Sequence, residues 1–213
     1  NCVYLNFDIE NISHLKSILQ DDTINGFNVT IPYKEEILKF LDEIDEAAKT
    51  IGAVNTIKKI NNKYIGFNTD FIGFEKSLIG LIENKKPENA LILGSGGASK
   101  AVKYVLNKLN INYSTVSRKS GKSEFIYENL NNEIINTFKL IINCSPVGTY
   151  PNINDSPNIP YEYLSEDHIL YDLIYNPAET LFLKKGRTSG CKIKNGLEML
   201  EVQANEAWRI WNS

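Results

Sequence analysis

Apolar positions along this chain follow two alternating rhythms. Short, nearly continuous runs read as strands: Val3 to Phe7, Phe27 to Thr30, Ala53 to Ile60, Lys63 to Phe67, then NALIL, YSTVS, KLIINCS and HILYDLI. Between them lie stretches with helical spacing. Asn11 to Leu19 places Ile12, Leu15, Ile18 and Leu19 on one face, and a second helix is predicted from Phe71 to Leu81. Pro32 suits the first turn of a helix, where its missing N–H costs nothing. Asn61-Asn62 is a turn signal between two strands, and ENKKPEN is linker-like. The closing NGLEMLEVQANEAWRIW predicts an amphipathic helix burying Leu197, Leu200, Ala204, Ala207 and Trp211. Such alternation predicts an α/β fold with a largely parallel sheet.

Composition narrows the function classes. With 213 residues, 42% hydrophobic and 23% charged, the chain is an ordinary globular one with room for two small lobes. A net charge of -3 argues against nucleic acid or an anionic membrane as partner. Its 3 cysteines (Cys2, Cys144, Cys191) lie far apart, which suits a reducing, cytoplasmic setting. The 2 histidines, His14 and His168, stand alone, so no metal-ligand spacing is present and no metal is expected. No apolar run approaches membrane-spanning length.

Leu91-Ile92-Leu93 runs into Gly94-Ser95-Gly96-Gly97-Ala98-Ser99, a glycine turn between a strand and a helix. In that context Gly94 permits the tight turn and Gly96 lets the backbone approach a pyrophosphate. Ser99 stands where a third glycine is usual and is still small. The helix N-terminus offers N–H groups to the phosphates. The next strand ends in Ser117-Arg118-Lys119-Ser120-Gly121-Lys122. No carboxylate stands there for a ribose 2′-hydroxyl, and the cations suit a 2′-phosphate, Arg118 foremost. NADP is therefore the expected cofactor.

Carbonyl reduction also needs a proton delivered to oxygen. The candidates are Lys34 in GFNVTIPYK and Asp70 in GFNTD. A lysine serves near neutrality where desolvation lowers its pKa, and a carboxylate can hold it in line with a substrate hydroxyl. Taken singly, plainer readings prevail: Lys34 as a solvated helix residue, Asp70 as a helix cap. Likewise GAVNT reads as a helix C-cap entering a strand, Gln203 as a residue on the wet side of the last helix, and NCSP as a strand-end turn.

Together these motifs resemble the shikimate dehydrogenase family from about residue 25 to the C-terminus. GFNVTIPYK is similar to the family's substrate motif, whose lysine is the acid/base, Lys34 here; GAVNT supplies Asn55 and GFNTD supplies Asp70. GSGGAS resembles its diphosphate loop, and NCSPVG its loop near the nicotinamide, with Asn143, Pro146 and Gly148 retained. Asp172-Leu173-Ile174-Tyr175-Asn176-Pro177 and Asn195-Gly196-Leu197-Glu198-Met199-Leu200 with Gln203 also fit.

The resemblance implies reversible, NADP-linked reduction of 3-dehydroshikimate to shikimate. It implies two lobes flanking a cleft: a smaller α/β substrate-binding lobe from residues 1–69 and 196–213, and a Rossmann-like NADP-binding lobe from residues 70–195. Lys34 and Asp70 would be catalytic, and Thr30, Asn55, Asp70, Tyr175 and Gln203 would bind substrate. Gly94, Ser95, Gly96, Gly97, Ala98, Ser117, Arg118, Lys119, Lys122, Leu173 and Gly196 would hold the cofactor. A monomer or homodimer is expected.

The sequence departs from the family pattern at three places. An Asn and a Thr usually flank the cofactor arginine, where Ser117 and Lys119 stand. Ser145 and Thr149 replace the commoner Thr and Met. The family opens with a strand and a Ser-x-Ser segment that holds the substrate carboxylate; nothing before CVYLNF supplies it, and the expectation is that the natural protein carries that segment. The competing readings are a quinate/shikimate dehydrogenase using NAD and a catalytically silent NADP-binding module.

Overall fold

A computed structural model describes residues 2–83, 85–118, 121 and 123–213. The chain forms two units, one running to Asn68 and including Ala207–Ser213, the other Thr69–Glu206.

In the first unit a 3-10 turn (Ile12–His14) leads into α1 (Leu15–Leu19), then β1 (Gly26–Asn28), a 3-10 turn (Glu36–Phe40), β2 (Glu43–Ile44), α2 (Glu46–Ile51), β3 (Thr56–Ile60) and β4 (Lys63–Phe67). The sheet order is β1-β3-β4-β2, with β2 parallel to β4 and the other pairs antiparallel. Local chemistry sets these bounds. Asp45 caps α2 by accepting from the Ala47 N–H at 3.1 Å, and Gly52, at φ 71°, ends it. Asn61 and Asn62, at φ 50° and 63°, supply the two left-handed residues a tight β3–β4 hairpin requires. Leu15, Ile37, Ala48, Val54, Ile57 and Tyr64 form the core.

Two expectations fail here. Val3 to Phe7 forms no strand: Val3 is 82% exposed, and Tyr4, Leu5 and Phe7 are also exposed. An extended segment becomes a strand only where a ladder supplies partners. Cys2–Ile9 instead lines one side of a groove of about 1180 Å³, with Gly26–Tyr33 among its other walls. Pro32 does not open a helix either. The Ile31–Pro32 bond is cis, the Tyr33 N–H donates to Thr30 O at 3.0 Å to close a turn, and helical geometry begins only at Glu36.

The second unit contains α3 (Asp70–Ile82), β5 (Asn89–Leu93), α4 (Gly97–Lys108), β6 (Asn112–Ser117), β7 (Phe125–Ile126), α5 (Asn132–Thr137), β8 (Leu140–Asn143), β9 (Ile169–Asp172), α6 (Leu181–Thr188), β10 (Lys192–Lys194) and the start of α7 (Leu197–Trp211). All neighbouring strands are parallel, in the order β10-β9-β8-β5-β6-β7. Strands β8 and β9 are buried at every position, which explains their unbroken apolar runs. Alternate residues serve opposite faces. Ala90, Ile92, Leu140, Ile142 and Tyr171 pack under α3 and α4; Leu91, Leu93, Ile141 and Leu170 pack with Ile135 of α5 and with Phe182 and Leu183 of α6. From β5 the chain adds strands first on one side and then on the other, so the order reverses between β5 and β8. A sheet of this kind leaves a binding crevice beyond the carboxyl ends at that reversal.

The face of α7 differs from expectation. Ala207 is buried as expected and Leu200 and Trp211 are partly buried, but Leu197 is 44% exposed and Ala204 is exposed, while Met199 and Ile210 are buried and Gln203 is partly so. Gly73 explains the shift: a Cβ there would strike the Met199 carbonyl, so α3 and α7 pack against each other along the Met199–Gln203 stripe.

Candidate functional site

In the first unit, backbone hydrogen bonds bring together the segments that hold Thr30, Lys34 and Asn55. The Val54 N–H donates to Lys34 O at 2.8 Å, and the Val29 N–H donates to Asn55 O at 2.8 Å. Asn55 is only 2% exposed, its N–H donates to Phe67 O at 3.0 Å, and its side-chain oxygen accepts from the Thr56 hydroxyl at 3.1 Å. Asn55 is therefore tied to β3, to β4 and to the residue that follows β1. Thr30 is exposed and lines the groove, while Lys34 is half-buried.

In the second unit, Asp70 is the first residue of α3 and is buried. The Thr69 hydroxyl donates to Gln203 Oε1 at 3.3 Å, and a Cβ on Gly73 would lie 3.2 Å from Gln203 Cβ. The close approach at Gly73 thus sets Gln203 against the start of α3, beside Thr69, the residue before Asp70. Tyr175 is 49% exposed, in the segment that follows β9.

The glycine turn follows β5 as its context required. Gly94 has φ +107°, and a Cβ on it would lie 3.2 Å from the Ser145 N, so the turns after β5 and β8 abut. At Gly96 an added Cβ would meet nothing within 4 Å: the space beside the backbone is open. No side chain caps α4, which leaves its first N–H groups for an anion, with Gly97 and Ala98 partly exposed and Ser95 exposed. An open cradle at an uncapped helix start fits a dinucleotide's pyrophosphate.

After β6, Arg118 is exposed. Burial, with Cys144 beside it, pushes the Tyr127 hydroxyl up to about 12 against the pull of the Arg118 guanidinium. Lys119, Ser120 and Lys122 lie outside the described residues. The far end of this basic loop is pinned to β6. Ser123 Oγ lies 2.8 Å from Ser117 Oγ and 2.6 Å from Phe125 O. Ser123 is the donor in both contacts, its one proton shared between the Ser117 hydroxyl oxygen and the Phe125 carbonyl. Burial would raise the Glu124 carboxyl, but the Thr115 N–H, 2.7 Å away, holds it below its ordinary value. Ser117 thus has a loop-closing contact that residue type alone did not reveal.

Leu173 and Gly196 meet directly: a side chain on Gly196 would collide with the Leu173 carbonyl, and the Gly196 N–H donates to Ile174 O at 3.0 Å. Asp172, quoted in a motif but given no role, proves to be the hub of this region. It is fully buried and accepts from Asn143 Nδ2 at 3.0 Å, the Ile174 N–H at 3.0 Å and the Thr180 hydroxyl at 2.6 Å. Burial pushes its pKa up to about 6, less far than it would without those three donors. The available signal was an aspartate ending the apolar run ILY, since a carboxylate that enters a core must find donors.

Among the described residues no group of three or more His, Cys, Asp or Glu is placed to hold a metal, and no helix is long and apolar enough to cross a membrane. A depression of about 590 Å³ beside β10, lined by Glu179, Lys194 and Glu198, contains none of the cofactor-turn residues.

Residues 1–57 match the family model described as the shikimate dehydrogenase substrate binding domain. A shikimate dehydrogenase (NADP(+)) of Methanococcus aeolicus is 42% identical over 228 residues, covering 99% of this chain and 81% of the relative. The crystal structure of a shikimate dehydrogenase in complex with NADP+ superposes with a TM-score of 0.84 at 38% identity, covering 96% of this chain and 77% of that one. A chorismate mutase/shikimate 5-dehydrogenase fusion protein from Clostridium acetobutylicum gives a TM-score of 0.82 at 42% identity, covering 97% and 78%. At this identity and coverage the chain belongs to the shikimate dehydrogenase family.

Proposed function

We propose that this chain catalyses the reversible reduction of 3-dehydroshikimate to shikimate with NADPH. Kinship with NADP-dependent shikimate dehydrogenases supports the substrate. One structural observation carries the cofactor: open space at Gly96 before the uncapped α4, followed at the end of the adjacent strand by exposed Arg118.

When bound, NADPH supplies the hydride that goes to the ring carbonyl carbon. Lys34 as its ammonium gives a proton to the carbonyl oxygen, and in the oxidative direction Lys34 as the amine takes the hydroxyl proton. The half-buried setting of Lys34 and the strand-fixed Asn55 supply the positioning that such a transfer needs. Thr30, Asn55, Asp70, Tyr175 and Gln203 hydrogen-bond the ring substituents, and Asp70 also acts with Lys34 in the proton transfer. Polar recognition of this kind rejects a ring lacking one hydroxyl, because the group that would bind it is left unpaired. Gly94, Ser95, Gly96, Gly97 and Ala98 receive the pyrophosphate. Ser117, Arg118, Lys119 and Lys122 receive the 2′-phosphate, and Leu173 and Gly196 border the nicotinamide. Residues 1–69 and 196–213 serve as the substrate-binding domain and residues 70–195 as the cofactor domain. The enzyme works in the cytoplasm as a monomer or homodimer.

The test is reduction of NADP⁺ or NAD⁺ with shikimate or quinate as donor. Turnover is expected with shikimate and NADP⁺, at least ~100-fold above either NAD⁺ combination, because the guanidinium at Arg118 rewards a 2′-phosphate. Faster turnover with quinate and NAD⁺ would favour the rival dehydrogenase. Nucleotide binding without turnover in any combination would favour a silent binding module.

A further inference from the structure

Asn143, Asp172 and Thr180 stand on separate segments, all with no exposed surface, and the Asp172 carboxylate joins them. Its Oδ1 accepts from Asn143 Nδ2 and from the Ile174 N–H, and its Oδ2 accepts from the Thr180 hydroxyl. Each donor governs something further. Asn143 turns its own Oδ1 to the Ser145 N–H at 3.0 Å and the Ser145 hydroxyl at 2.7 Å, setting the loop after β8. Ile174 passes the register to Gly196 through its carbonyl, while Thr180 caps α6. Burying a carboxylate is costly, and an apolar residue would serve packing alone at least as well. What the carboxylate adds is direction: three donors converge on two oxygens, so the segments 143–145, 173–174 and 180–183 move only together.

We propose that Asp172 is a positioning residue for the nicotinamide half of the cofactor, holding the loop after β8 and the Leu173–Gly196 contact as one wall. The proposal rests on the cofactor reading above, in which that wall borders the nicotinamide. Asp172 itself touches no reacting atom and acts through Asn143 and Ile174.

The test compares two ligands on the whole chain, by calorimetry or intrinsic fluorescence: NADPH, and adenosine 2′,5′-bisphosphate, which lacks the nicotinamide half. Asp172→Ala is expected to weaken NADPH binding by roughly tenfold or more while changing the bisphosphate by less than about threefold. Asp172→Asn should recover most of the loss, since its amide oxygen still accepts from Asn143 and Ile174. In turnover, Asp172→Ala should lower kcat more than it raises the KM for shikimate. Equal weakening of both ligands, or of neither, would overturn the proposal. If Asp172→Ala fails to fold, Thr180→Val removes one donor and is read the same way, with a smaller expected change. Wild-type protein that bound neither ligand would overturn the cofactor reading and this proposal with it. Binding of both by wild type separates the two questions, and needs no shikimate turnover.

Discussion

Asp172 also gives the molecule a pH signature. An aspartate in an unfolded chain titrates near ~3.9, whereas burial raises Asp172 to about 6 in the fold. Between these values the folded state holds a proton that the unfolded state has released, so stability falls as pH rises through the window. The span corresponds to about 3 kcal/mol at most. Cys144 and Tyr161, whose charges would act on it, are neutral in this window, since a thiol and a phenol titrate well above it and burial pushes both higher still. His168 works in the opposite sense. Burial lowers its pKa while Nδ1 accepts from the Ser165 N–H at 3.0 Å and Nε2 donates to Ile135 O at 3.0 Å. Its contribution is therefore lost as pH falls below the ordinary histidine value. Asp172→Asn removes one of two opposing slopes. Between about pH 4 and 6, urea midpoints for that variant should rise with pH relative to wild type; parallel profiles across that window would contradict the assignment. Single residues were legible in sequence where backbone geometry follows from residue type, as with the tight turn at Gly94 and the open space at Gly96. The contacts of Ser117 and Asp172 were not, although motifs include both, because their partners come from elsewhere in the chain: Ser123 for one, and Asn143 and Thr180 for the other.

Among elements, those coded by local chemistry are where the sequence put them. The β3–β4 hairpin follows from its two asparagines, α3 from its apolar stripe, and β5–turn–α4 from its glycines. Elements that depend on a partner were misread. Val3 to Phe7 has strand composition but no ladder, and α7 buries the face that Gly73 allows α3 to approach. Strand β1 shows the same dependence. Its register with β3 pairs Phe27 with Ile57, and the Val29 N–H bonds to Asn55 O, so odd-numbered residues bond inward. Gly26 and Asn28 therefore turn their N–H groups to the outer edge, where no described strand pairs with them. Amide hydrogen exchange by NMR should find Phe27 and Val29 protected while Gly26 and Asn28 exchange at least ~10-fold faster. Equal protection at all four would mean that the outer edge is paired.

At the scale of the whole molecule, alternating strands and helices announced an α/β fold, and the parallel sheet of the second unit has that form. The strand order was not legible. It is set by which apolar faces meet, information spread over the sheet rather than written in any segment, yet that order creates the crevice at β5 and β8 where the glycine turn abuts the loop after β8. The chemistry proposed for this fold depends most on Lys34. Replacing it by alanine keeps the backbone carbonyl that accepts from Val54, so the fold around Asn55 is retained. The decisive measurement is the turnover of shikimate and NADP⁺ by Lys34→Ala beside its NADPH dissociation constant. Loss of the acid/base is expected to lower kcat by about 10²–10⁴ with NADPH binding changed less than about twofold. A variant that kept more than roughly a tenth of wild-type kcat, or that lost NADPH binding in the same proportion, would contradict the role of Lys34 as the proton donor and acceptor.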